Sequence, residues 1–333
     1  MNYKHFLILT LVLISMSVVR WNRQDLIIRP YVGSDEHSLG QKIGYDVEMS
    51  LDSYNYVQYV NYYNGLDVED EITKPYSFRF LVPFAASFFP FDSFSSLNII
   101  NLSSEVLGLL FLMKLLALIG FRQKTIFMTS FLYCFSFPIF YYGVVGLLDA
   151  PAIFLIIIGT YYTLKKEFFP VLIILIIGAM ANEKSILLLP FFFFFNYKEI
   201  GLRKSLIHSS ILLLLFLTTT LIVRSNTINA DSTFLWSANM ESLFYNLGRV
   251  RTYISLLLTG GLPLLILLFS IRKIDFKKSY NFAFLMGVIF VFLMILYSFM
   301  AAYTDGRFMW YIYPFSLPLV AYALDQSKKL NQK

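Results

Sequence analysis

The sequence predicts an all-α fold, a polytopic membrane helical bundle, and two observations support this. Of the 333 residues, 57% are hydrophobic and only 14% are charged, which is too apolar for a soluble globular domain. The apolar residues also gather in runs separated by short polar segments, as in multi-pass proteins. We expect about ten transmembrane helices in one integral membrane domain, 1–333, at about 5–19, 98–119, 126–148, 150–164, 168–181, 185–195, 206–223, 254–271, 279–301 and 308–324.

Several of these runs are shorter than the ~20 residues that a perpendicular membrane helix needs. The first run follows Lys4 and no small-x-small cleavage site comes after it. We therefore interpret it as an uncleaved first helix rather than a signal peptide. The run 185–195 is the weakest of the ten, and its Phe191–Phe195 segment is expected to contact lipid.

The charge distribution predicts how the chain threads the membrane. One set of loops holds fifteen basic residues against four acids, and the alternate set holds eleven basic residues and sixteen acids. Because basic loops stay in the cytoplasm, both termini are expected there, in the cytoplasmic (inner) membrane. The outer face then receives the loops 20–97 and 224–253. The net charge of +6 is spread over these clusters with no basic stripe, so nucleic acid is not an expected partner.

A polar, tyrosine-rich stretch in the first outer loop is the strongest candidate for the site of chemistry. Ser50 to Gly65 has the pattern of a short amphipathic helix, in which three tyrosines follow Asp52 at i+4, i+7 and i+11. Asp52 is then a candidate general base for a hydroxyl acceptor, beside rings that pack against sugars. The alternative is a helix N-cap next to an interfacial aromatic belt. The tyrosines are Tyr56, Tyr59 and Tyr63.

Two further groups in this loop suit ions. The side chains of Asp46 and Glu48 face the same way in an extended segment, which suits a hard divalent cation such as Mg or Mn, although acid pairs are common in exposed loops. Arg79 is suited to binding phosphate or to anchoring at lipid headgroups. The segment Phe80–Phe91 is apolar but too short to span, so we expect an interfacial or re-entrant helix.

Charged residues at other outer positions are candidates for the same recess. Glu105 lies about 10 Å inside the second span, and ionisable groups at such depth mark cavities. Arg307 opens the last span as a phosphate clamp or an interface anchor. Lys184 is suited to holding a phosphate, or to pairing with its neighbour. The polar tips of short helical hairpins should form the floor of this recess, and they carry Asp149, Glu183 and Lys184.

Taken in order, these pieces resemble the type C glycosyltransferase superfamily, multi-pass enzymes that use polyprenyl-phosphate sugars. The resemblance rests on Asp52 through Tyr56 to Gly65, Pro75 to Pro83, Asp149 to Pro151, Glu183 to Pro190, and Arg307 to Pro314.

The resemblance implies that Asp52 matches the catalytic acid of the first outer loop. It also implies that Lys184 and Arg307 lie near the phosphate of the donor. Asp46 and Glu48 look like a variant of the Asp-x-Asp pattern of that family, so the catalytic acid stays open between them and Asp52. Some relatives use a divalent metal and others none.

Three functions compete at this point. The first is an inverting glycosyltransferase with a polyprenyl-phosphate-linked sugar donor and a lipid-linked or cell-surface glycan acceptor. The second is a polysaccharide polymerase that relies on Arg224, Arg249 and Arg251 in the second outer loop. The third is a transporter or lipid flippase that uses Glu105 and Lys114. The chain has no Walker loop, Rossmann glycine pattern or zinc-ligand spacing, so ATP and NAD chemistry are unsupported. Membrane lipids are expected around the bundle, and the oligomeric state is left open.

Overall fold

The computed structural model describes residues 2–21, 51–66, 68, 72, 74–228, 238–301 and 304–330. Over these residues the chain is helical, with short 3-10 turns and no β-strand among the described elements. This confirms the all-α prediction. The helices are α1 (Tyr3–Val18), α2 (Leu51–Tyr63), α3 (Leu81–Ala86), α4 (Ser93–Ile119), α5 (Gln123–Cys134), α6 (Phe137–Tyr142), α7 (Asp149–Leu164), α8 (Phe168–Ala181), α9 (Leu188–Ile200), α10 (Leu202–Asn226), α11 (Met240–Gly248), α12 (Val250–Ser270), α13 (Ser279–Ala301), α14 (Arg307–Trp310) and α15 (Tyr313–Leu330).

Each of the ten apolar runs contains helix in the structure. The apolar helices of the described residues are those of an integral membrane protein. Five helical segments in it are long and apolar enough to cross a membrane. The helices α1, α7 and α8 are apolar but only 14–16 residues long, so ten complete crossings are not established. The five long segments are α4, Gln123–Tyr142, α10, Val250–Lys273 and α13.

One predicted span is interrupted. The run 126–148 was expected to be continuous, but helix α5 ends at Cys134 and α6 covers only Phe137–Tyr142. Pro138 lies in the first turn of α6. Proline has no N–H group for the helical ladder, and its ring clashes with the carbonyl group four residues earlier, so the helix restarts here rather than running through.

The phenylalanine run of α9 packs inward. Phe191, Phe192 and Phe195 are at most 4% exposed, and the Phe191 ring lies 4.8 Å from the ring of Phe284 in α13. The expectation that this segment contacts lipid was therefore wrong for these three rings. Aromatic side chains bury large areas and fill the space between helices, and α9 is held between α10 and α13 in this way.

The segment that leads into α7 is not helical, and neighbouring helices satisfy its backbone. Asn98 of α4 accepts a hydrogen bond from the Gly146 N–H at 2.8 Å, and Asn101 donates to the Leu147 carbonyl oxygen at 2.6 Å. From α2, Ser53 donates to the Val145 carbonyl oxygen at 2.6 Å. Irregular backbone at membrane depth is tolerated only when its polar groups find such partners. These bonds fix the point at which α7 begins.

Glu105 lies deeper than predicted and apart from the other candidate residues. Helix α4 begins at Ser93, so Glu105 is twelve residues, roughly 18 Å, from its start. The side chain is 1% exposed, and its Oε2 atom accepts a hydrogen bond from Ser17 of α1 at 3.1 Å. Its Oε1 atom faces Gly143, directly after α6. Glu105 therefore helps to join α1, α4 and the end of α6, and its place in the recess stays a prediction.

Replacing Gly143 by alanine tests this packing. A Cβ atom at this position would overlap Glu105 Oε1 and lie 2.7 Å from the Ile139 carbonyl oxygen. We expect Gly143→Ala to destabilise the protein by about 1–3 kcal/mol through overpacking, measured as a lower midpoint of thermal unfolding in detergent. Gly248→Ala is the matched control, because a Cβ atom there meets nothing within 4 Å. Equal midpoints for the two variants would contradict the described packing.

Candidate functional site

Four residues that were predicted separately meet at one end of the bundle, which we call the site end. Arg307 Nη1 lies 2.6 Å from Asp52 Oδ2 and 3.9 Å from Asp149 Oδ2. Lys184 Nζ lies 2.9 Å from Asp149 Oδ1. These side chains come from α2, from the start of α7, from the turn after α8 and from the start of α14. Tertiary packing thus unites two carboxylates and two cations from distant parts of the chain.

Asp52 is held between a hydroxyl and a guanidinium. It lies in the first turn of α2, where Tyr76 donates a hydrogen bond to its Oδ1 atom at 2.8 Å, and Arg307 binds its Oδ2 atom. Burial alone would raise the pKa of Asp52, but Arg307 and Tyr76 outweigh it and hold that pKa below its ordinary value. The side chain is 22% exposed, so a charged carboxylate is kept within reach of solvent.

Asp149 is the most buried carboxylate of the group, with its side chain 4% exposed. It accepts hydrogen bonds on Oδ1 from Lys184 and from the Tyr311 hydroxyl at 2.7 Å. Asn182 donates to the Tyr311 oxygen at 3.3 Å and to the Leu148 carbonyl oxygen at 3.3 Å. A buried charge of this kind is tolerable because it is paired and hydrogen-bonded.

Lys184 is aimed at Asp149 by the turn in which it lies. The 3-10 turn Glu183–Leu187 begins after Asn182, whose side chain accepts from the Lys184 N–H at 3.1 Å. Lys184 Nζ also lies 4.5 Å from the centre of the Phe308 ring and 4.9 Å from that of Tyr311, which are favourable cation–π distances. The alternative that Lys184 pairs with its neighbour Glu183 is wrong, since each residue pairs elsewhere.

Arg307 is positioned by the turn in front of it and by the interrupted helix α12. Gly306 packs so closely that an added Cβ atom would overlap Thr259 Oγ1 and lie 2.5 Å from the Ser255 carbonyl oxygen. Two residues after Thr259, the backbone of α12 leaves the helical region at Gly261, with φ of 49°. A glycine adopts this angle without the steric cost that other residues meet. The start of α14 therefore rests directly against α12.

Arg79 and Glu183 form a second ion pair beside the first group. Arg79 Nε donates to Glu183 Oε2 at 2.9 Å, its second contact joins Nη2 to Oε1, and Nη1 donates to the Tyr56 hydroxyl at 2.5 Å. Burial would raise the pKa of Glu183, but Arg79 lowers it to about 2. This bidentate pair connects α2 and the turn before α3 to the end of α8.

The model of the EpsG family matches residues 39–332 of the chain. The chain belongs to the EpsG family. No curated protein and no solved structure matches it. Membership of this family indicates a membrane protein of polysaccharide biosynthesis that is polymerase-like. The matched residues include the ion-paired cluster, by which we mean Asp52, Arg79, Asp149, Glu183, Lys184 and Arg307.

The tyrosines of α2 in this EpsG family member pack inward instead of facing an acceptor. Tyr56 and Tyr59 are each 1% exposed, and Tyr59 donates to the Ser77 carbonyl oxygen at 3.0 Å. The Tyr63 ring stacks on that of Tyr59 with centres 5.2 Å apart. The helix is confirmed, but residues 53–60 are buried on all of its faces, so the expected exposed polar face is absent there. The structure also leaves no ring face of Tyr56 or Tyr59 for sugar packing. All three guanidinium nitrogens of Arg79 likewise donate to protein partners, namely Glu183 and Tyr56.

The proposed metal pair, Asp46 and Glu48, lies outside the described residues. Within the described part of the EpsG family chain, no group of three or more His, Cys, Asp or Glu side chains is arranged to hold a metal ion. The Mg or Mn site therefore stays a prediction.

Three residues of the site were not singled out from the sequence as functional. Tyr76 binds Asp52, Tyr311 binds Asp149, and Asp305 binds Arg307. The sequence held a signal for Asp305, because an aspartate side chain in a turn commonly accepts a hydrogen bond from the backbone N–H two residues later. No local pattern marks Tyr311, because its partner Asp149 is 162 positions away.

Neutralising Glu183 tests the second ion pair. The pKa of Glu183 is depressed from 4.5 to about 2. Its stabilising effect is therefore complete above pH 4.5 and is lost as the pH falls toward 2. We expect Glu183→Gln to lower the thermal midpoint at pH 7 by roughly 2–4 °C, the shift that about 1 kcal/mol produces, and the difference from the native protein to shrink below pH 4.5. The exposed Glu241→Gln is the control; a Glu183→Gln effect that does not vary with pH contradicts the pairing.

Proposed function

We propose that the protein is an integral membrane glycosyltransferase that moves a sugar from a polyprenyl-phosphate donor to a lipid-linked or cell-surface glycan acceptor. The observation that carries this proposal is the position of the Asp52 carboxylate, 2.6 Å from an Arg307 guanidinium that also approaches Asp149. Asp149 in turn pairs with Lys184. A base for the acceptor thus lies beside two cations for a phosphate leaving group. Such a pairing of groups is what glycosyl transfer from a lipid phosphate requires.

Asp52 is the proposed general base. Its lowered pKa keeps it ionised at neutral pH, so it is able to accept the proton of an acceptor hydroxyl. The hydroxyl oxygen then forms the new bond to the anomeric carbon, while the bond from that carbon to the phosphate oxygen breaks with inversion. Arg307 weakens the basicity of Asp52 while it stays bound to it. A donor phosphate that draws Arg307 toward itself would therefore strengthen the base at the moment of transfer.

Arg307 and Lys184 are the proposed partners of the departing phosphate. Arginine offers a planar fork that matches phosphate oxygens, and lysine acts as a point charge. Both side chains are mostly buried, at 18% and 14% exposed, so water screens them weakly. Preorganised charges of this kind contribute several kcal/mol to catalysis, about 3–4 kcal/mol for one oxyanion donor in known cases.

The arrangement of the helices supports an outward-facing site. Arg122 pairs with Asp325, and Lys166 pairs with Glu199, all four in the loop set that charge assigns to the cytoplasm. Lys166 follows the end of α7, whereas Asp149 begins that helix. The proposed orientation therefore has both termini in the cytoplasm and the site end facing outside, in the cytoplasmic membrane, where polyprenyl-linked donors and glycan acceptors meet.

Family membership favours polymer formation as the second candidate. In that case the donor is a lipid-linked repeat and the acceptor is the growing chain, and the same base and phosphate cations serve both variants of the reaction. Two of the arginines that we predicted for this reaction contact aromatic rings: the guanidinium carbon of Arg224 lies 5.0 Å from the Phe78 ring, and that of Arg249 lies 5.0 Å from the Tyr245 ring. The type C architecture remains the fold to which we assign either reaction.

Asp52→Asn tests the catalytic assignment. The amide keeps the shape of the side chain but cannot accept the proton, so we expect transfer to fall by about 10²–10⁴-fold. The measurement is the surface polysaccharide made by cells that carry only the variant, together with its level in the membrane. Asp325→Asn is the control, because Asp325 also pairs with an arginine. Undiminished synthesis by well-folded Asp52→Asn would disprove the assignment.

The three arginines of the second outer loop separate single transfer from polymerisation. If their charges guide a growing chain, Arg224→Gln, Arg249→Gln and Arg251→Gln should each shorten the polymer while the first sugar is still added. Gel analysis of polymer length beside single-sugar addition measures both. Unchanged length in all three variants would remove these arginines from the proposed reaction and leave single transfer as the better description.

A further inference from the structure

Asp305 is the acid that binds Arg307 from the side opposite Asp52. Its Oδ1 atom accepts from the Arg307 backbone N–H at 2.9 Å, and its Oδ2 atom accepts from Arg307 Nε at 3.0 Å. Arg307 Nη1 is then directed at Asp52. The Asp305 carboxylate thus binds both the backbone N–H and the Nε atom of Arg307.

The turn that carries Asp305 is itself fixed. The Thr304 N–H donates to Asn246 Oδ1 at 3.1 Å, and the Thr304 hydroxyl lies 3.0 Å from that of Ser298. Gly306 packs against α12. The guanidinium is a rigid plane, so holding its Nε edge from a fixed turn decides the direction of its two outer nitrogens.

The negative charge of Asp305 is unfavourable for binding a phosphate at this site. The described ion-paired cluster contains three cations, Arg79, Lys184 and Arg307, which are balanced by Asp52, Asp149 and Glu183. Asp305 adds a fourth carboxylate and is the most exposed of them, at 39%. A negative charge here opposes an incoming phosphate, so a role limited to charge would only weaken donor binding.

We propose that Asp305 is a positioning residue that aims the outer edge of Arg307 at the phosphate of the donor. The inference rests on the proposed function and adds a residue to it. Asp305 turns a flexible arginine into a preorganised clamp, and this gain outweighs the repulsion of its charge. Because geometry rather than charge carries the effect, a neutral side chain with an oxygen in the same place should serve nearly as well.

The experiment compares two substitutions that separate geometry from charge. Asp305→Asn keeps one acceptor oxygen, equivalent to Oδ1, which accepts from both the Arg307 backbone N–H at 2.9 Å and Arg307 Nε at 3.3 Å. It loses the charge and the Oδ2 contact, whereas Asp305→Ala loses every acceptor and the charge. We expect Asp305→Ala to raise the Kd of a radiolabelled short-chain polyprenyl monophosphate by about tenfold, within the range that misplaced groups produce. Asp305→Asn should stay within about twofold of the native protein. Binding is measured on the purified full-length protein in lipid nanodiscs.

Asp275→Ala is the matched control. Asp275 accepts from the N–H of Lys277 at 3.0 Å, the same contact two residues ahead, but in the loop between α12 and α13, which the charge distribution assigns to the cytoplasm. Its Kd should equal that of the native protein. If Asp305→Ala does not purify as a folded protein, Asp305→Glu replaces it. That variant keeps the charge but displaces the carboxylate by one methylene, and it should also weaken binding.

The outcomes distinguish this inference from the function on which it rests. If the native protein shows no saturable binding of the monophosphate, the proposed function fails. If the native protein binds but Asp305→Ala and Asp305→Asn have equal Kd values, or Asp305→Glu binds normally, Asp305 acts through charge or not at all. The positioning role is then overturned while the proposed function stands.

Discussion

The Arg307 guanidinium is the contact on which the arrangement of the site depends. It binds Asp52 from α2 and Asp305 from its own turn, and it approaches Asp149 at the start of α7. Charges that are mostly removed from water are stabilised by pairing, and losing one partner of such a pair is destabilising. The need to pair these charges therefore draws together elements that are more than 250 positions apart in the chain.

The scaffold around this contact is polar where the helices are interrupted. Asn98, Asn101 and Ser53 satisfy the irregular backbone before α7, and the hydroxyl of Tyr313 donates to the Thr259 carbonyl oxygen beside the break in α12 at 2.9 Å. Each break lies next to an element that carries a charged residue of the site. Interrupted helices in membrane proteins place charged groups in this manner, and here they set Asp149 and Arg307 at one level.

The aromatic residues of α2 act as packing rather than as a binding surface. Tyr56 accepts from Arg79, and its ring meets that of Tyr76 edge-on with centres 5.5 Å apart. Tyr76 in turn binds Asp52. The chain of contacts runs from Glu183 through Arg79 and the two tyrosines to Asp52, so the two ion-paired groups are mechanically joined. Arg79 and the proposed base are thereby connected through two tyrosines.

Much of the fold could be predicted from the sequence, because the signals for it are local. Apolar runs and amphipathic spacing located the helices, including α2 with Asp52 in its first turn, since both depend only on near neighbours. The inward packing of Phe191 and Tyr59 could not be predicted, because the same aromatic residue suits lipid and protein interior equally. The depth of Glu105 was misjudged because α4 begins at Ser93, before the start of the predicted apolar run. The sequence by itself determined an all-helical membrane protein and the candidates Asp52, Asp149, Lys184 and Arg307. Only the tertiary structure decided which charges pair, since an ion pair depends on the folded positions of residues that are far apart in the chain.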